Sequence, residues 1–518
     1  MPRNSKSEGQ EQKERAQRSP GALVLRADAS VEWGSGHVMR CLALAQVWQD
    51  GGGDAVFAMS VASSASRVEE RLRDEGFSVA RVGGGPGDAA DAEETAALAR
   101  RHNAAWVVVD GYRFGAEYQE CLKNSGLKVL FVDDNGHAGS YVADLVLNQN
   151  LHARGELYSR RNSSTRLLLG SRFAMLRREF NSWREWKRET PGRVRRILVT
   201  MGGSDPNNVT LSAAEAVLSA GDFELTIVAG GSNPNLAGLR EFARSAGGSV
   251  KLVENASNMP ELIAAADLAV AGAGTTAWEI CFLGLPALLV VLAANQQGVA
   301  DELGRQGIMM NLGPASELRQ ESIFSSLRSL AASAHAREEM SARGRALVDG
   351  HGAERVVSVL RRESIFLRPI ESADCKLLWE WANDPAVRAS AFSSEAIPWN
   401  EHVAWFRARL GDLDSRLFIG SNAAGVPVGQ IRFDKLAAGD ADVDVSVDVR
   451  YRGLGYASRM IELGVERVFA EGGIRRINAF VKSGNAASAR AFEVAGFTPS
   501  ETVTVRGQTA VHYLRTAA

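Results

Sequence analysis

Short β-rich runs alternate with helical sequence patterns from Ala22 onward, and this alternation constrains the fold more than any other feature of the 518-residue chain. The strand-like runs are Ala22 to Ala27, Asp54 to Met59, Trp106 to Val109 and Val129 to Val132. Alternation of this kind predicts a parallel, doubly wound sheet with helices on its faces. The N-terminal part of the chain is therefore expected to form an open α/β lobe.

A second series of the same kind follows a charged, tryptophan-containing stretch from Phe180 to Arg193. Pro191 and Gly192 in this stretch predict a hinge. The strand-like runs of the second series are Arg196 to Met201, Glu224 to Ala229, Lys251 to Glu254, Leu268 to Ala271 and Ala287 to Leu292. Two such sheets joined by a hinge leave a cleft where the carboxyl ends of their strands meet, which is the usual ligand position in open α/β folds.

From position 363 the pattern changes to longer strands that follow one another almost directly. The predicted strands are Ile365 to Ile370, Leu417 to Ser421, Val426 to Phe433 and Val443 to Val449, with helices at Leu377 to Ala382 and His402 to Leu410. This order predicts an α+β domain that differs from both lobes. We expect a disordered tail at residues 1–20, α/β lobes at 21–190 and 191–362, and the α+β domain at 363–518.

Composition and charge favour small-molecule partners. Lys and Arg number 59 against 61 Asp and Glu, a net charge of -2, so no global positive field attracts nucleic acid or acidic lipid. The longest apolar run, Leu283 to Ala294, is too short to cross a bilayer and contains Pro286. Residues 1–20 lack the apolar stretch of a secretory signal, and the four cysteines have no spacing typical of zinc or disulfides. We expect a cytoplasmic protein without a bound metal.

The first candidate site follows the first strand, where the turn Gly34 to Gly36 leads into His37. The helical pattern that begins there puts His37 near N–H groups that have no partner within the helix. Because the positive end of a helix disfavours imidazolium, we expect a neutral imidazole that can accept a proton. Two other interpretations stay open: a histidine that only caps the loop, and a dinucleotide-binding turn, which Met39 at the third glycine position disfavours.

Three strand ends of the second lobe carry glycines or amides that suit a phosphorylated ligand. These residues are Gly202, Gly203 and Ser204, then Gly272, Gly274 and Thr275, then Asn295 and Gln296. Glycines let backbone N–H groups approach a pyrophosphate at a helix start, and amides pair with sugar or phosphate oxygens. Glu279 has two interpretations: it forms a capping box with Thr276, or its carboxylate holds ribose hydroxyls. The convergence of these three strand ends on one cleft predicts a nucleotide site.

The motifs of both lobes together resemble a known family of enzymes. The matching segments are Arg26 to Asp28, Gly36 to Leu42, Asp133 and Asp134, Gly202 to Asn208, Ala271 to Gly284, and Asn295 with Gln296. They are similar to the UDP-2,4-diacetamido-2,4,6-trideoxy-β-L-altropyranose hydrolases of pseudaminic acid synthesis, over about residues 21–350. The resemblance implies two Rossmann-like lobes of the glycosyltransferase B type. It also implies that water attacks the anomeric carbon with inversion and releases UDP without a metal.

The same resemblance implies roles for individual residues. His37 matches the catalytic histidine, as the general base or the group that positions the water. The UDP-sugar-binding residues are then Asp28, Gly36, Gly202, Gly203, Ser204, Gly272, Gly274, Thr275, Glu279, Asn295 and Gln296. Asp28 and Asp110 are weaker candidates for contact with sugar hydroxyls, because either side chain can instead cap a loop.

The α+β domain carries two motifs of its own. A strand ending at Val449 runs into the loop Arg450 to Ala457, which aims several N–H groups at a diphosphate, while two arginines add positive charge. For this loop alone, an ordinary strand, turn and helix with two glycines stays open. A later strand, Asn478 to Val481, leads to the segment Asn485 to Phe497.

Loop and segment together resemble the GCN5-related N-acetyltransferase (GNAT) superfamily over about residues 363–518. The resemblance implies that acetyl-CoA binds between two splayed strands and that acetyl passes directly to an amine. The implied acetyl-CoA-binding residues are Val447, Val449, Arg450, Arg452, Gly453, Leu454, Gly455, Tyr456, Ala457, Asn485 and Ser488. Many members have a tyrosine that protonates the leaving thiolate where this chain has Phe492, so the proton donor is not predicted.

The segment from Asn383 to Trp405 also resembles acetyltransferases that modify UDP-4-amino-4,6-dideoxy-N-acetyl-β-L-altrosamine, one step before the hydrolase. These resemblances therefore predict a bifunctional enzyme of the biosynthesis of pseudaminic acid, which is a nonulosonic acid. Its expected partners are the UDP-sugar and acetyl-CoA. Two alternatives stay open: a glycosyltransferase that uses the same UDP-sugar site, and a hydrolase with a non-catalytic, acetyl-CoA-sensing domain. The sequence makes no prediction of the oligomeric state.

Overall fold

The structure is a computed structural model that describes residues 21–30, 34–63, 66–361, 365–412, 414–422, 425–436 and 439–517. The predicted disordered tail at residues 1–20 lies outside them. The chain divides into two units, residues 1–357 and 358–518. Two parallel sheets lie in the first unit and one mixed sheet in the second. The expected class, two Rossmann-like α/β lobes followed by an α+β domain, is confirmed.

The first lobe has a seven-stranded parallel sheet. Its strands are β1 (Ala22–Ala27), β2 (Asp54–Ser60), β3 (Ser78–Val82), β4 (Ala104–Asp110), β5 (Val129–Val132), β6 (Leu145–Asn148) and β7 (Arg166–Leu169). Its helices are α1 (Gly36–Asp50), α2 (Ser66–Asp74), α3 (Ala89–Arg101) and α4 (Ala116–Asn124). The order β3-β2-β1-β4-β5-β6-β7 reverses direction at β1, so the loops after β1 and β4 lie at the switch point where ligands bind in such sheets.

The second lobe repeats this plan in a six-stranded parallel sheet. Its strands are β8 (Arg196–Thr200), β9 (Glu224–Ala229), β10 (Val250–Glu254), β11 (Leu268–Gly272), β12 (Ala287–Val291) and β13 (Met310–Pro314). Its helices are α5 (Val209–Ala220), α6 (Leu236–Ser245), α7 (Met259–Ala265), α8 (Thr276–Phe282), α9 (Gln297–Arg305), α10 (Gln320–Ala332) and α11 (Ala334–Leu347). In the order β10-β9-β8-β11-β12-β13, the strands β8, β11 and β12 are neighbours, which brings the three predicted loops together.

The tryptophan-containing stretch that leads to the predicted hinge at Pro191 and Gly192 packs against the second lobe. Phe180 is part of the second lobe's buried core, and Trp183 and Trp186 pack against that core. The Arg188 guanidinium donates hydrogen bonds to the carbonyl oxygens of Ile263, Ala266 and Leu283. A helix α12 (Gly352–Arg361) follows the lobe. The predicted domain bounds stay predictions.

The second unit contains a seven-stranded mixed sheet in the order β14-β15-β16-β17-β18-β20-β19. Its strands are β14 (Phe366–Pro369), β15 (Ser415–Ser421), β16 (Pro427–Lys435), β17 (Asp440–Val447), β18 (Arg476–Lys482), β19 (Thr498–Val505) and β20 (Gln508–Thr516). Its helices are α13 (Cys375–Ala382), α14 (Pro385–Ser390), α15 (Trp399–Leu410), α16 (Tyr456–Glu471) and α17 (Ala486–Val494). Helices α13 and α15 cover a small core against β15 that contains Trp381, Phe406 and Ile419.

Two strands at the centre of this sheet separate along their length. Strands β17 and β18 are parallel, and their pairing is confined to Asp440–Asp442 against Arg476–Asn478. Beyond that, β17 pairs with β16 and β18 pairs with β20, so a slot opens between their carboxyl halves. This is the splayed pair that the resemblance implied.

One predicted strand is too long at its end. The strand was expected to run to Val449, but β17 stops at Val447 and Val449 begins a short 3-10 turn with its side chain 61% exposed. Asp448 turns the chain because its carboxylate accepts a hydrogen bond from the Arg450 N–H, which caps the turn.

Within the described part of the chain, no helix has both the length and the apolar character needed to cross a membrane.

Candidate active sites

His37 lies in the first turn of α1, which begins at Gly36 as expected. Its Nδ1 is 2.7 Å from Oδ1 of Asp110, the last residue of β4. Arg40 Nη2, which only donates, also lies 3.2 Å from Nδ1. The ionised carboxylate only accepts and is closer, so the geometry favours the tautomer in which Nδ1 carries the proton. The other ring nitrogen, Nε2, is then left with a lone pair, and the expected neutral imidazole stays a prediction.

Asp110 is fully buried and ionised. Burial by itself would raise the pKa of this carboxyl group, but the charges of Arg40 and His37 and their hydrogen bonds hold it well below its usual range. Both carboxylate oxygens are taken, since Arg40 donates to each of them and His37 contacts one. Its oxygens therefore orient the imidazole, and the predicted contact of Asp110 with sugar hydroxyls stays a prediction.

Arg40 extends this pair into a buried network. Its guanidinium also donates to both carboxylate oxygens of Asp134, at 3.0 and 2.8 Å. Asp134 accepts further hydrogen bonds from Asn150 Nδ2 at 2.8 Å and from the Tyr112 hydroxyl at 3.1 Å. Because one guanidinium bridges two carboxylates, the loops after β4, β5 and β6 are fixed relative to His37.

Asp28 lies beside this network at the end of β1. One of its oxygens accepts the N–H of Ser60 at 2.7 Å, and the other is 2.8 Å from the Arg26 guanidinium. Arg26 itself is fully buried and forms a two-pronged pair with Asp91. Asp28 is therefore held in place by the protein, and its predicted contact with the sugar stays a prediction.

A small pocket opens next to the imidazole. It is lined by Asp28, His37, Pro86, Asp110, Gly111, Tyr112, Arg113 and Phe114. Four of the eight residues belong to the loop after β4, and the Pro86 ring and the two aromatic rings make much of the wall apolar. Such a wall suits an uncharged substituent more than a charged one.

The glycine loops of the second lobe face the start of α1. A Cβ atom built on Gly36 would be 3.8 Å from Oγ1 of Thr275, and one on Gly34 would be 3.7 Å from Oγ of Ser204. Gly203 is closer still, since a Cβ there would be 2.3 Å from the Ser35 hydroxyl. The structure therefore brings the predicted loops of the two lobes to the same place.

The conformations of these loops depend on glycine. Gly202 has a φ of +86°, in the left-handed region that other residues rarely adopt. A Cβ on Gly272 would be 2.8 Å from Leu292, and Gly274 leaves only 3.5 Å between such an atom and the Gln296 amide. Glycine thus keeps space open where backbone N–H groups would have to approach a phosphate.

Glu279 does not form the capping box that its spacing with Thr276 allowed. Helix α8 has no side-chain cap, and the Glu279 carboxylate is instead 2.9 Å from Arg177. Burial raises the pKa of Glu279, against the opposing attraction of Arg177. The capping interpretation is wrong because the arginine competes for the carboxylate, whereas contact with ribose stays a prediction.

Asn295 and Gln296 occupy different environments. Asn295 Nδ2 donates to the Tyr112 hydroxyl at 2.7 Å, a hydrogen bond between the two lobes. The side-chain oxygen of Gln296 accepts the N–H of Leu292 at 3.0 Å, so only its NH2 group is directed elsewhere. Asn295 thus connects the predicted diphosphate loop to the Asp134 network of the first lobe.

The predicted acetyl-CoA loop lies at the open end of the slot between β17 and β18. Gly453 and Gly455 have φ of +73° and +90°, and Gly455 immediately precedes α16 without a side-chain cap. Arg450 pairs with Asp448, and Arg452 pairs with Asp384 at 2.7 Å. The loop therefore presents helix-start N–H groups, while its two arginines are already engaged with carboxylates.

The second acetyl-CoA motif packs around the start of α17. Asn485 caps this helix, since its side-chain oxygen accepts the N–H of Ser488 at 3.1 Å. Phe492 is buried, with its ring 5.2 Å from Phe497 and stacked on Tyr513 at 6.4 Å. The motif has a structural function here, and its contact with the cofactor stays a prediction.

Several residues of these sites were not singled out from the sequence. Arg40 and Tyr112 contact His37, Asp134 and Asn150 extend the network behind Arg40, and Trp381 donates to Asp448 beneath the acetyl-CoA loop. Arg40 and Asp134 lay inside quoted motifs, so a signal existed for them. Tyr112 and Asn150 follow strand ends without any motif. In the described ranges, no group of three or more His, Cys, Asp or Glu side chains is placed to hold a metal ion.

Fold and sites together define a chain in which a unit of two Rossmann-like α/β lobes precedes a unit with a mixed, GNAT-like sheet. Residues 196–354 match the model of the glycosyltransferase family 28 C-terminal domain. Residues 364–498 match the model of the acetyltransferase (GNAT) domain. The C-terminal resemblance drawn from the sequence is thereby confirmed.

Curated relatives match between 45% and 92% of the chain. An uncharacterized protein of Methanocaldococcus jannaschii is 22% identical over 92% of this chain and 96% of its own length. The spore coat polysaccharide biosynthesis protein SpsG of Bacillus subtilis is 29% identical over 45% of this chain and 68% of its own. The UDP-2,4-diacetamido-2,4,6-trideoxy-β-L-altropyranose hydrolase of Campylobacter jejuni is 23% identical over 55% of this chain and 97% of its own. The last relative confirms the resemblance of the first unit.

Among solved structures, a spermidine N-acetyltransferase of Vibrio cholerae in complex with CoA and spermine matches the chain with a TM-score of 0.28 and 16% identity. The match covers 29% of this chain and 95% of that protein.

Proposed function

We propose that the chain is a bifunctional enzyme of nonulosonic acid biosynthesis. Its first unit hydrolyses UDP-2,4-diacetamido-2,4,6-trideoxy-β-L-altropyranose to UDP and free sugar. Its second unit transfers acetyl from acetyl-CoA to the 4-amino group of the UDP-sugar precursor. The parts carry the bounds 21–190, 191–362 and 363–518, and the enzyme acts in the cytoplasm without a metal.

The observation that carries the hydrolase proposal is the position of His37. Its imidazole, oriented by Asp110 at 2.7 Å, lies at the start of α1, and that helix start faces the Gly202–Ser204 and Gly272–Thr275 loops. A diphosphate held by the N–H groups of these loops would place the anomeric carbon of its sugar near the imidazole. The similarity to the Campylobacter jejuni hydrolase supports the same assignment.

In this mechanism the lone pair of His37 Nε2 takes a proton from water while the water oxygen attacks the anomeric carbon. The bond from that carbon to the diphosphate oxygen breaks, and attack from the opposite face inverts the configuration. Asp110 stabilises the imidazolium that forms, since its pKa stays far below its usual range. Loop N–H groups and the start of α8 stabilise the negative charge that develops on UDP.

The pocket beside His37 supports a sugar with uncharged substituents. Its wall includes Pro86, Tyr112 and Phe114. An acetamido methyl group next to the anomeric carbon fits such a wall. A charged amine there would lose its hydration beside two carboxylates, Asp28 and Asp110, that Arg26, Arg40 and His37 already engage. In a diacetamido sugar, both amino positions carry uncharged acetamido groups. Acetylation would therefore precede hydrolysis.

The acetyltransferase proposal rests on the slot between β17 and β18 and on the glycine loop at its open end. The pantetheine arm would fill the slot and form hydrogen bonds with the free edge of β17, and the pyrophosphate would meet the N–H groups at Gly455 and Tyr456. The match of residues 364–498 to the GNAT domain supports this assignment.

One experiment tests both activities. The purified chain is given the UDP-4-amino-4,6-dideoxy-N-acetyl-β-L-altrosamine substrate with and without acetyl-CoA, and products are followed by mass spectrometry. We expect the acetylated UDP-sugar first and then UDP with free diacetamido sugar, and neither product without acetyl-CoA. Release of the free 4-amino sugar without acetyl-CoA would contradict the proposed order.

A glycosyltransferase is the second candidate, because residues 196–354 match a glycosyltransferase model. Such an enzyme would pass the sugar to an alcohol and would need that acceptor. Incubation with the diacetamido UDP-sugar in buffer alone separates the two functions: equal amounts of UDP and free sugar indicate hydrolysis, and an unchanged UDP-sugar indicates transfer.

Phe492 favours a third possibility, an acetyl-CoA-sensing domain without catalysis, because the usual tyrosine hydroxyl is missing there. Acetyl transfer to the 4-amino sugar with multiple turnovers excludes this function. Acetyl-CoA binding that changes only the hydrolysis rate would support it.

A further inference from the structure

The closed end of the slot in the second unit contains a chain of three polar side chains. Strands β17 and β18 separate directly after the pair Asp442 and Asn478. Asn478 Nδ2 lies 3.3 Å from Oδ1 of Asp442, and Asn478 Oδ1 lies 3.2 Å from Nε2 of His512 on β20. The motifs that point to acetyl-CoA binding include none of these residues.

The partners fix the direction of these hydrogen bonds. Asn478 Nδ2 faces two oxygens, the Asp442 carboxylate and the carbonyl of Ala441 at 3.4 Å, and must donate to them. The side-chain oxygen of Asn478 can then only accept, so His512 donates from Nε2. The lone pair of the imidazole is consequently on Nδ1.

The imidazole is held firmly but stays accessible. Its ring stacks on Phe480 with centroids 4.7 Å apart and planes 10° apart, and its side chain is 16% exposed. The charged groups on the same face of the sheet are Arg432 and Asp434 on β16, Asp440, Asp442 and Asp444 on β17, Arg476 and Lys482 on β18, and Glu501 on β19. Glu501 lies 3.9 Å from Nδ1 and its side chain is 69% exposed, so it leaves Nδ1 open to a ligand.

The distance along β17 from the pyrophosphate loop to Asp442 indicates where the acetyl thioester would lie relative to these polar side chains. The pyrophosphate loop follows the end of β17, and the stretch from Asp442 to Val447 spans roughly 17 Å at the usual rise per residue. An extended pantetheine arm that starts at the loop and follows β17 back into the slot therefore brings its thioester toward the closed end. His512 and Asn478 are located there.

We propose that His512 accepts the proton of the acceptor amine during acetyl transfer, and that Asn478 and Asp442 are positioning residues that hold its tautomer. The amine nitrogen attacks the thioester carbonyl carbon, a C–N bond forms, and the C–S bond breaks. The amine proton moves to His512 Nδ1, and the imidazolium then gives a proton to the coenzyme A thiolate. One imidazole serves both steps, which explains how transfer proceeds with Phe492 in place of the tyrosine.

The inference rests on the proposed acetyltransferase function, and the test separates the two. Full-length wild-type chain and the His512→Gln variant are compared with acetyl-CoA and the UDP-4-amino sugar as substrates. Gln at this position keeps a donor for Asn478 and removes the base. We expect kcat to fall about 10²-fold to 10⁴-fold, with little change in acetyl-CoA binding measured by calorimetry.

The pH profile gives a readout that a merely structural role would not change. Below neutral pH, log(kcat/KM) of the wild type should fall with a slope near two, because both the substrate amine and the imidazole must lose a proton. In His512→Gln the slope should fall to about one, from the amine alone. Asn478→Ala should keep the steeper slope with a lower kcat.

His335→Gln serves as the control, since it removes an imidazole whose side chain is 82% exposed in the first unit. This variant should keep the wild-type kcat and the wild-type pH dependence of log(kcat/KM). UDP release by each variant, measured with the diacetamido UDP-sugar, reports that the first unit is folded, and acetyl-CoA binding measured by calorimetry reports that the second unit is folded. A wild type that never acetylates overturns the proposed function, whereas an active wild type matched in kcat and slope by His512→Gln overturns this inference alone.

Discussion

His37 Nδ1 lies 2.7 Å from Asp110 Oδ1, and this contact joins the start of α1 to the end of β4 across the switch point of the first sheet. The carboxylate is fully buried and is shared with Arg40. One ring nitrogen is thus committed to the protein, and the other is left for the substrate. The pair combines the two requirements of a general base, a fixed tautomer and a stabilised protonated form.

Replacement of His37 by Gln should abolish most of the hydrolysis. We expect kcat for UDP release to fall about 10²-fold to 10⁴-fold, because the base is lost while the loops that bind the nucleotide are unchanged. UDP release is measured by coupled assay or chromatography. Acetyl transfer by the same variant is the control and should match the wild type; loss of both activities in a folded chain would contradict the modular account.

Asp110→Asn tests the tautomer separately. The amide can present its NH2 group to Nδ1, which favours the opposite tautomer and removes the lone pair from Nε2. We expect a lower kcat with little change in KM for the UDP-sugar. Because the variant also leaves Arg40 with one carboxylate fewer, its unfolding midpoint should fall and must be measured in parallel. Wild-type kcat in a folded Asp110→Asn protein would exclude the proposed role.

Gly203→Ala should impair hydrolysis through sterics alone. The new Cβ would be 2.3 Å from the Ser35 hydroxyl and 2.8 Å from the Ser35 nitrogen, so the turn before His37 has to move. A displacement of this size costs on the order of 10²-fold in kcat/KM when it shifts a catalytic group. Gly238→Ala in α6 is the matched control, since nothing lies within 4 Å of its new atom. Equal activity of the two variants would argue against a site between these loops.

Gly455→Ala should weaken acetyl-CoA use and spare hydrolysis. Gly455 has a φ of +90°, and an alanine there costs roughly 1–3 kcal/mol, which the loop can avoid only by leaving its conformation. We expect KM for acetyl-CoA to rise about tenfold or more. Gly411→Ala, with nothing within 4 Å and a φ of -117°, is the control and should behave as wild type. A normal KM in Gly455→Ala would place the pyrophosphate elsewhere.

Acid should destabilise the first unit in part through Asp133. Burial would raise the pKa of this carboxyl group, but the hydrogen bond and charge of His137, with the hydrogen bond from Tyr141, lower it from 3.8 to about 2. A lowered pKa stabilises the folded state above the unfolded value and ceases to do so as the pH falls through the folded one. The contribution, on the order of 2 kcal/mol, should therefore be lost between about pH 4 and pH 2.

Urea unfolding at a series of pH values measures this loss. In Asp133→Asn the free energy of unfolding should depend less on pH in that window. The exposed Asp222→Asn variant is the control, and its free energy of unfolding should depend on pH as in the wild type. The same pH dependence in the wild type and in both variants would show that Asp133 is not linked to folding.

The sequence predicted the three sheets and the location of His37 because periodicity and turn residues are local signals. Strands β3, β6, β7, β13, β19 and β20 were not predicted. The first four are runs of only four or five residues, such as Leu145–Asn148, which resemble buried loop sequence. The end of β17 was placed too late, because the cap that Asp448 provides depends on a side-chain contact. Local patterns thus located the elements and missed what tertiary contacts decide.

Pairings between distant residues were not predictable for the same reason. Asp110 was only a weaker candidate for contact with sugar hydroxyls, and its pairing with His37 and Arg40 was not predicted, because these residues lie about seventy positions away along the chain. Glu279 had the spacing of a capping box with Thr276, but its carboxylate pairs with Arg177, about one hundred positions earlier in the chain. Spacing within one helix carries no information about a competing charge from another segment.

Isotope labelling of the product tests the central claim most directly. The purified chain is incubated with the diacetamido UDP-sugar in water enriched in oxygen-18, without any acceptor, and the products are analysed at once by mass spectrometry and NMR. If His37 directs water to the anomeric carbon, the label appears in the free sugar, the UDP stays unlabelled, and the sugar first forms with inverted configuration. Label in UDP, or no release of UDP without an acceptor alcohol, would contradict the account.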